Sequence, residues 1–377
     1  MCNNFVEHLL YEPFLMYLYD INSDLKVEKL SLSSPKTGEV LVQMGAAGIC
    51  HSDFHVISGQ ASQKMPCVLG HEGAGKVISV GENVTRVSQG DHVILSWLPY
   101  CGNCYQCNRG RTHLCKTLQD PVWDGTLLDG TCRFSNDNGE VRQLGTLGCW
   151  SEFCVVPQEC CVTIKKSVPF EIAALLGCAV TTGVGAVLNR AKITEGQTVV
   201  IIGMGGVGLS VLMGAKMQRA SKIICVDTNS DLKGLALSLG GTHFIEADKN
   251  TDVLLKIQEI TEVGADHVFE AVGKRDLQKL AIDYCCPGGQ VTFVGLDGPD
   301  ASIALPTTEI TRSEKTITGS IYGSACTDRD FILYANAFLS GELPIGEIVG
   351  RHYKIDKINE AISDMLIGKP GRGVISF

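Results

Sequence analysis

The chain carries no surplus of positive charge: 32 Lys and Arg stand against 41 Asp and Glu, a formal net charge of −9. Nucleic-acid and anionic-membrane surfaces show a basic stripe as their footprint, so this balance speaks against both as partners. No apolar run is long enough for a membrane span of about 20 residues. The longest, residues 199–215, is interrupted by five glycines. Nor does a basic segment precede an apolar core at the N-terminus, where Glu7, Glu12 and Asp20 break the apolar stretches. No signal peptide is read there. Charged residues are too few, at 19%, and hydrophobic ones too many, at 45%, for a disordered chain. There is no internal repeat and no low-complexity segment. These exclusions point to a soluble, cytoplasmic protein whose 377 residues suffice for two domains, each with its own core.

What the chain has in excess is cysteine. Seventeen is an odd number, in a large chain without an export signal, so a disulfide framework is not expected. The thiols are then either small buried hydrophobes or metal ligands, and spacing separates the two.

Texture changes along the chain. From about residue 26 to 96 it is rich in β-branched residues and glycine, with short apolar runs at 39–44, 75–80 and 92–96 that end at turn signals. A Cys/Gly/Asn-dense lobe and a long polar loop follow over 97–145. From 198 onward strand-like segments (198–202, 222–227, 243–245, 267–272, 290–295, 316–322) alternate with helical patterns (230–239, 252–261, 275–285). Such alternation implies an α/β fold with a mostly parallel, doubly wound sheet. The last part of the chain returns to a mixed pattern and ends in a short strand, 373–377.

The first strand of that alternation runs into Gly203-Met204-Gly205-Gly206-Val207-Gly208 and an apolar helix. In this context the glycines permit a tight turn (Gly203), backbone approach to a pyrophosphate (Gly205) and close helix–strand packing (Gly208), with the anion on the helix N-terminus. Asp227 ends the next strand, 19 residues past Gly208. A carboxylate there accepts hydrogen bonds from the adenosine ribose and repels a 2′-phosphate, favouring NAD over NADP. The bland alternative is that the glycines only turn the chain and Asp227 only caps the next helix.

Cys101-x2-Cys104-x2-Cys107-x7-Cys115 places four soft ligands within 15 residues. Tetrahedral zinc uses such close pairs, as an iron–sulfur cluster also can. Four ligands leave no open position, so the site is read as structural. Four free thiols in so polar a segment would be prone to oxidation. A dispersed set, Cys50, His71 and Cys178, would leave a fourth zinc position for water or substrate, which is the arrangement of a catalytic site. Two thiolates there cancel the charge of the ion.

The stretch Gly70-His71-Glu72-x2-Gly75-x5-Gly81-x2-Val84 resembles the zinc signature of the zinc-dependent alcohol dehydrogenases of the medium-chain dehydrogenase/reductase superfamily. The cysteine lobe, Gly177-Cys178 and the glycine loop occur in that family's order, over roughly residues 36–377. Residues 120–145, with Asp129-Gly-Thr-Cys-Arg-Phe134, resemble the long loop of its class I/III-like branch. The resemblance implies an N-terminal β-rich GroES-like catalytic domain over 1–179 with a structural zinc lobe at about 97–119, a Rossmann coenzyme domain over 180–321, and a return to the catalytic domain over 322–377. It implies two zinc ions per subunit and NAD. Cys50, His71 and Cys178 match the catalytic zinc ligands, Glu72 the carboxylate behind the zinc, and Asp53 the partner of the zinc histidine. Ser52 matches the hydroxyl that bonds the alcohol oxygen, and His55 the residue that passes the proton on through the nicotinamide ribose. His51, Thr182 and Arg372 match coenzyme contacts, beside Gly203, Gly205, Gly206, Val207, Gly208 and Asp227.

The implied reaction interconverts primary alcohols and aldehydes by hydride transfer from a zinc-bound alkoxide. Ser52, with Trp97 and Trp123 as pocket residues, favours bulky or aromatic alcohols. The alternative within the family is an S-(hydroxymethyl)glutathione dehydrogenase. That branch has an acidic residue soon after the segment matching Ser58-Gly59 and an Arg after the last lobe cysteine, whereas this chain has Gln60-Ala61-Ser62-Gln63 and Lys116-Thr117-Leu118-Gln119. A silent scaffold on the same fold and a nucleic-acid-binding zinc lobe (Arg109, Arg111, His113, Lys116) are the readings of other classes. The family suggests a homodimer, or a tetramer. The segment Phe14–Asp20, after Tyr11-Glu12-Pro13, departs from the family's short opening strand and receives no function.

Overall fold

The computed structural model describes residues 11–377. The chain forms two compact units. The first runs to Gly177 and takes back His352–Met365 and Gly373–Phe377; the second comprises Cys178–Arg351 and Leu366–Arg372. The second unit therefore reaches Arg351, beyond residue 321, because the helix Thr327–Leu339 packs on the helix Ala179–Gly185 and its Asp330 is hydrogen-bonded to Asn189.

The centre of the first unit is the strand Glu39–Gly48, in a run whose alternate and consecutive apolar residues are almost all buried. It pairs antiparallel with Gly73–Val80, Phe153–Pro157 and Arg372–Ser376. Chain-terminal residues thus complete the sheet beside the first functional segment: Val374 is opposite Gly48, and Ile49 N–H donates to Gly373 O at 3.0 Å. The departing segment near the N-terminus is a strand, Phe14–Leu18, paired with Lys26–Lys29 and Cys67–Val68. Leu15, Met16, Tyr17 and Leu18 are fully buried, so packing explains its apolar run.

The second unit holds six parallel strands in the order His243–Glu246, Lys222–Asp227, Thr198–Ile202, Ala265–Glu270, Cys285–Phe293, Thr316–Gly319. This is the doubly wound arrangement, and its strand order reverses between Thr198–Ile202 and Ala265–Glu270. Ligands of such sheets bind at the carboxyl ends of the strands beside that reversal, where the glycine loop begins.

The long loop is anchored by an ion cluster that the sequence did not announce. Arg133 is 1% exposed, pairs through Nε and Nη2 with the carboxylate of Glu39, and donates to Asp129 Oδ2 at 2.8 Å. Partial burial opposes ionisation of Asp129, but the Arg133 guanidinium and the Thr131 N–H and hydroxyl hold its carboxyl well below the usual range. A group depressed in this way adds stability above about pH 4 and loses it as pH falls toward the folded value. Arg133→Met strands the buried Glu39 carboxylate and frees the exposed Asp129, with an expected loss of about 3–5 kcal/mol at pH 7, of which the Asp129 part is lost below about pH 4. Urea unfolding of both proteins at the two pH values checks this.

Candidate active site

Cys50, His71 and Glu72 lie where the central strands of the first unit end. Cys50 follows the strand Glu39–Gly48 and is the residue before the short helix His51–Ile57. His71 and Glu72 precede the strand Gly73–Val80. Cys178, the residue at which the chain leaves the first unit, precedes the helix Ala179–Gly185. Donor atoms of Cys50, His71, Glu72 and Cys178 all lie within 4.8 Å of one another, and all four residues are buried.

Local structure explains how the set is assembled. Gly70 takes φ of +91°, open to glycine alone without strain, and its Cα faces Trp150 so closely that a Cβ would meet that ring and backbone. Its N–H donates to Asp53 Oδ1 at 3.1 Å, and the next residue, His71, brings Nδ1 to 3.0 Å of the same oxygen. Since a carboxylate only accepts, Nδ1 carries the hydrogen and Nε2 presents its lone pair. Nε2 is buried with no hydrogen-bond partner among the described residues. Asp53 Oδ2 in turn accepts the Cys50 N–H at 3.3 Å, so one fully buried carboxylate orients two ligand positions. Gly48 is needed for room, since a Cβ there would collide with the Glu72 carboxylate. Trp150 Nε1–H donates to Gly48 O at 3.1 Å and fixes that approach. Sequence reasoning missed both Gly48 and Trp150, whose roles depend on long-range contacts, Gly48 with Glu72 and Trp150 with Gly48.

The donor set has the chemistry of a metal site. Burial opposes protonation of His71, yet the Asp53 carboxylate and the Cys50 sulfur outweigh it and hold the ring well above the ordinary histidine value. Two sulfurs, one imidazole and a backing carboxylate are the donors of a zinc site with an open position. Cys50 and Cys178 keep 7% exposure each and His71 5%, while Glu72 has none. Ser52, exposed, places Oγ 3.7 Å from Cys50 Sγ, and His55 lies three residues along the same helix and so on the same face. His51 opens that helix and is exposed. Trp97 stands edge-on to His71 with ring centroids 6.2 Å apart, and Trp123 edge-on to Trp97 at 6.1 Å. Trp123 is 61% exposed.

The four lobe sulfurs also meet the geometry of a metal. Four sulfurs about 2.3 Å from a tetrahedral zinc lie about 3.8 Å from one another. Here Cys101–Cys107, Cys104–Cys107, Cys104–Cys115 and Cys101–Cys115 are 4.0, 3.5, 3.9 and 3.6 Å apart. A disulfide, at about 2.05 Å, is excluded. The Asn103 N–H against its sulfur lowers the Cys101 thiol, while burial pushes the Cys107 thiol up.

In the second unit Gly203 has φ of +92°, and a Cβ at Gly208 would collide with Gly203 O. Gly205 differs: its φ is −73° and a Cβ would meet nothing within 4 Å. Nothing in the protein requires glycine there, which fits a position left bare for the backbone to approach a ligand. Arg372 is buried and packs its side chain over Gly206. Thr182 is half-buried, with Oγ1 4.0 Å from Cys178 Sγ. Asp227 accepts N–H bonds from Met204 at 2.6 Å and Asn229 at 2.9 Å. It therefore braces the glycine loop as well as closing the strand, and each oxygen retains a further lone pair.

Fold and site together define a zinc-binding oxidoreductase with a GroES-like part and a dinucleotide-type sheet. Family models agree: the alcohol dehydrogenase GroES-like domain matches residues 36–166, and the zinc-binding dehydrogenase domain matches 206–339. The chain belongs to the zinc-dependent medium-chain alcohol dehydrogenase family. It is 35% identical over 363 residues to an NDMA-dependent alcohol dehydrogenase of Amycolatopsis methanolica, covering 95% of this chain and 97% of that one. It is 35% identical over 361 residues to an S-(hydroxymethyl)glutathione dehydrogenase of Photobacterium damsela subsp. piscicida, covering 94% and 96%. The crystal structure of benzyl alcohol dehydrogenase from Acinetobacter calcoaceticus superposes with a TM-score of 0.92 at 31% identity, covering 98% of this chain and all of that one. Among the described residues no single helix is long and apolar enough to cross a membrane.

Metal analysis distinguishes the two sulfur sites. The intact protein is expected to carry two zinc ions per chain and Cys178→Ala one, with turnover lost and the melting temperature little changed. Cys104→Ala is expected to lose its zinc with a marked fall in melting temperature. Equal destabilisation by the two variants would contradict an open and a closed site.

Proposed function

We propose that the protein is an NAD-dependent zinc dehydrogenase interconverting primary alcohols and aldehydes, with bulky or aromatic alcohols as its substrate class. The observation that carries this reading is the Cys50–His71–Cys178 donor set, backed by a buried carboxylate, with the hydroxyl of exposed Ser52 3.7 Å from Cys50 Sγ. Zinc held there supplies Lewis-acid polarisation of the alcohol oxygen, and NAD is the hydride acceptor. Asp53 keeps His71 in the tautomer that offers Nε2. Ser52 Oγ takes the alcohol's hydroxyl proton, and the His55 imidazole, which can both accept and donate a proton, hands it to solvent. Gly203, Gly205, Gly206, Val207 and Gly208 receive the pyrophosphate, Arg372 supplies a cation over the loop, Asp227 holds the adenosine ribose, and His51 and Thr182 serve as further coenzyme contacts.

The aromatic preference is supported by the Trp97–Trp123 pair beside His71, and by the benzyl alcohol dehydrogenase to which the chain is similar. The glutathione-linked reading is supported by several curated relatives of that activity. The uncharged Gln60–Gln63 segment weighs against it. Absorbance assays with NAD, NADP and NDMA as acceptors separate the two. Benzyl alcohol with NAD is expected to be turned over without glutathione, whereas activity confined to formaldehyde plus glutathione would favour the alternative. Trp123→Ala is expected to raise KM for benzyl alcohol about ten-fold and leave that for ethanol within about two-fold, the worth of one aromatic contact. Asp227→Ala is expected to weaken NAD more than NADP and so narrow their ratio in kcat/KM; an unchanged ratio removes Asp227 from coenzyme choice.

A further inference from the structure

The second unit contains one run of backbone that ordinary residues avoid. Tyr322, Gly323 and Ser324 follow one another in the left-handed region, with φ of 51°, 64° and 51°. Only the middle one lacks a Cβ, so the other two are held there by their surroundings. Such positions persist where neighbouring structure over-determines them, and they concentrate at ligand clamps and active sites.

The surroundings are specific. Gly323 lies flat against the helix Ala179–Gly185: a Cβ on it would collide with Thr181 O and come within 3.0 Å of Thr182 O. Asn189 Nδ2 donates to Gly323 O at 3.2 Å and to Asp330 Oδ2 at 3.1 Å. Asp330 is 1% exposed and also accepts from Cys326 N at 2.9 Å, Arg329 Nε at 2.6 Å and Arg329 Nη2 at 3.0 Å. Nη2 returns to Asn189 Oδ1 at 3.0 Å, closing a ring of three side chains. Asn189 itself sits in a π-helical segment, Ala186–Ala191, the second rare conformation in this region. Both irregularities meet at one side-chain amide.

The turn starts three residues past the strand Thr316–Gly319, at the carboxyl edge of the parallel sheet. The helix it presses on starts after Cys178 and carries Thr182. We propose that the Asn189–Asp330–Arg329 cluster is a positioning device for the coenzyme: by locking the Tyr322–Ser324 turn against the helix Ala179–Gly185, it sets Thr182 at the height of the sheet edge on which the nicotinamide half of the dinucleotide rests. This rests on the dinucleotide reading above. Asn189 and Asp330 touch no reacting atom; they act through the turn and the helix.

The test is NADH and NADPH binding by fluorescence titration, with kcat and KM for coenzyme and for benzyl alcohol, in the zinc-replete full chain and three variants. Asn189→Ala is expected to raise Kd for NADH and KM for coenzyme about ten-fold, the effect of one lost hydrogen bond passed to the site, and to leave KM for alcohol within about two-fold. Asp330→Asn keeps the shape of the cluster and removes the charge that gathers it, so it is expected to move the same two constants in the same direction even if Asn189→Ala does not fold. Ile257→Ala, in the buried core of the same sheet, measures plain destabilisation: a lower melting temperature with coenzyme affinity unchanged. If Asn189→Ala and Asp330→Asn behave like Ile257→Ala, the cluster is structural only and the proposal is overturned. A wild-type protein that binds neither NADH nor NADPH overturns the dinucleotide reading, and this inference with it.

Discussion

Two thiols, an imidazole and a carboxylate share a small buried volume at the end of the central sheet, and a further buried carboxylate, that of Asp53, orients two of those positions. A cation among them would offset the cost of burying charged donors. With one, the charge of two thiolates is cancelled and the remaining carboxylate is held in reserve behind. Much local structure serves this arrangement. Asp53 bonds both the His71 ring and the Cys50 N–H, while Gly48 and Gly70 clear space for Glu72 and Trp150. The two terminal residues that pair with Gly48 and Ile49 hold the strand end in place.

The second sulfur site shows what changes when openness is not needed. Its ligands come from one loop, all of them sulfur, at the separations of a closed tetrahedron. The first site instead takes ligands from three distant segments, so it exists only after the sheet has formed. A metal at the lobe would therefore organise a local loop, whereas one at the first site would need three separate segments already in place.

Much of this was legible in the sequence because it is written in local patterns. The strand Thr198–Ile202, the glycine loop and the strand Lys222–Asp227 lie where period and turn chemistry put them, and the cysteine lobe is explicit in its spacing. Cys50, His71 and Cys178, which only the family resemblance set together, lie far apart in the sequence and have donor atoms within 4.8 Å of one another. What stayed hidden depends on long-range contact: Arg133 with Glu39, Trp150 with Gly48, and Asn189 with Gly323. In each, one partner looks like a solvated polar residue or an ordinary core residue until the fold brings the other to it. The apolar Phe14–Leu18 strand was set aside for a related reason, since an insertion without a motif gives no hint of the sheet it joins.

Zinc K-edge X-ray absorption of the purified protein addresses the metal centre most directly. One four-sulfur site and one site of two sulfurs, an imidazole and an oxygen average to three sulfurs at about 2.3 Å and one lighter atom at about 2.0–2.1 Å per zinc. That mixed shell, at two zinc ions per chain, is the expected result. A single zinc per chain with a pure four-sulfur shell would mean that Cys50, His71 and Cys178 hold no ion, and the chemistry assigned to them would have to be abandoned.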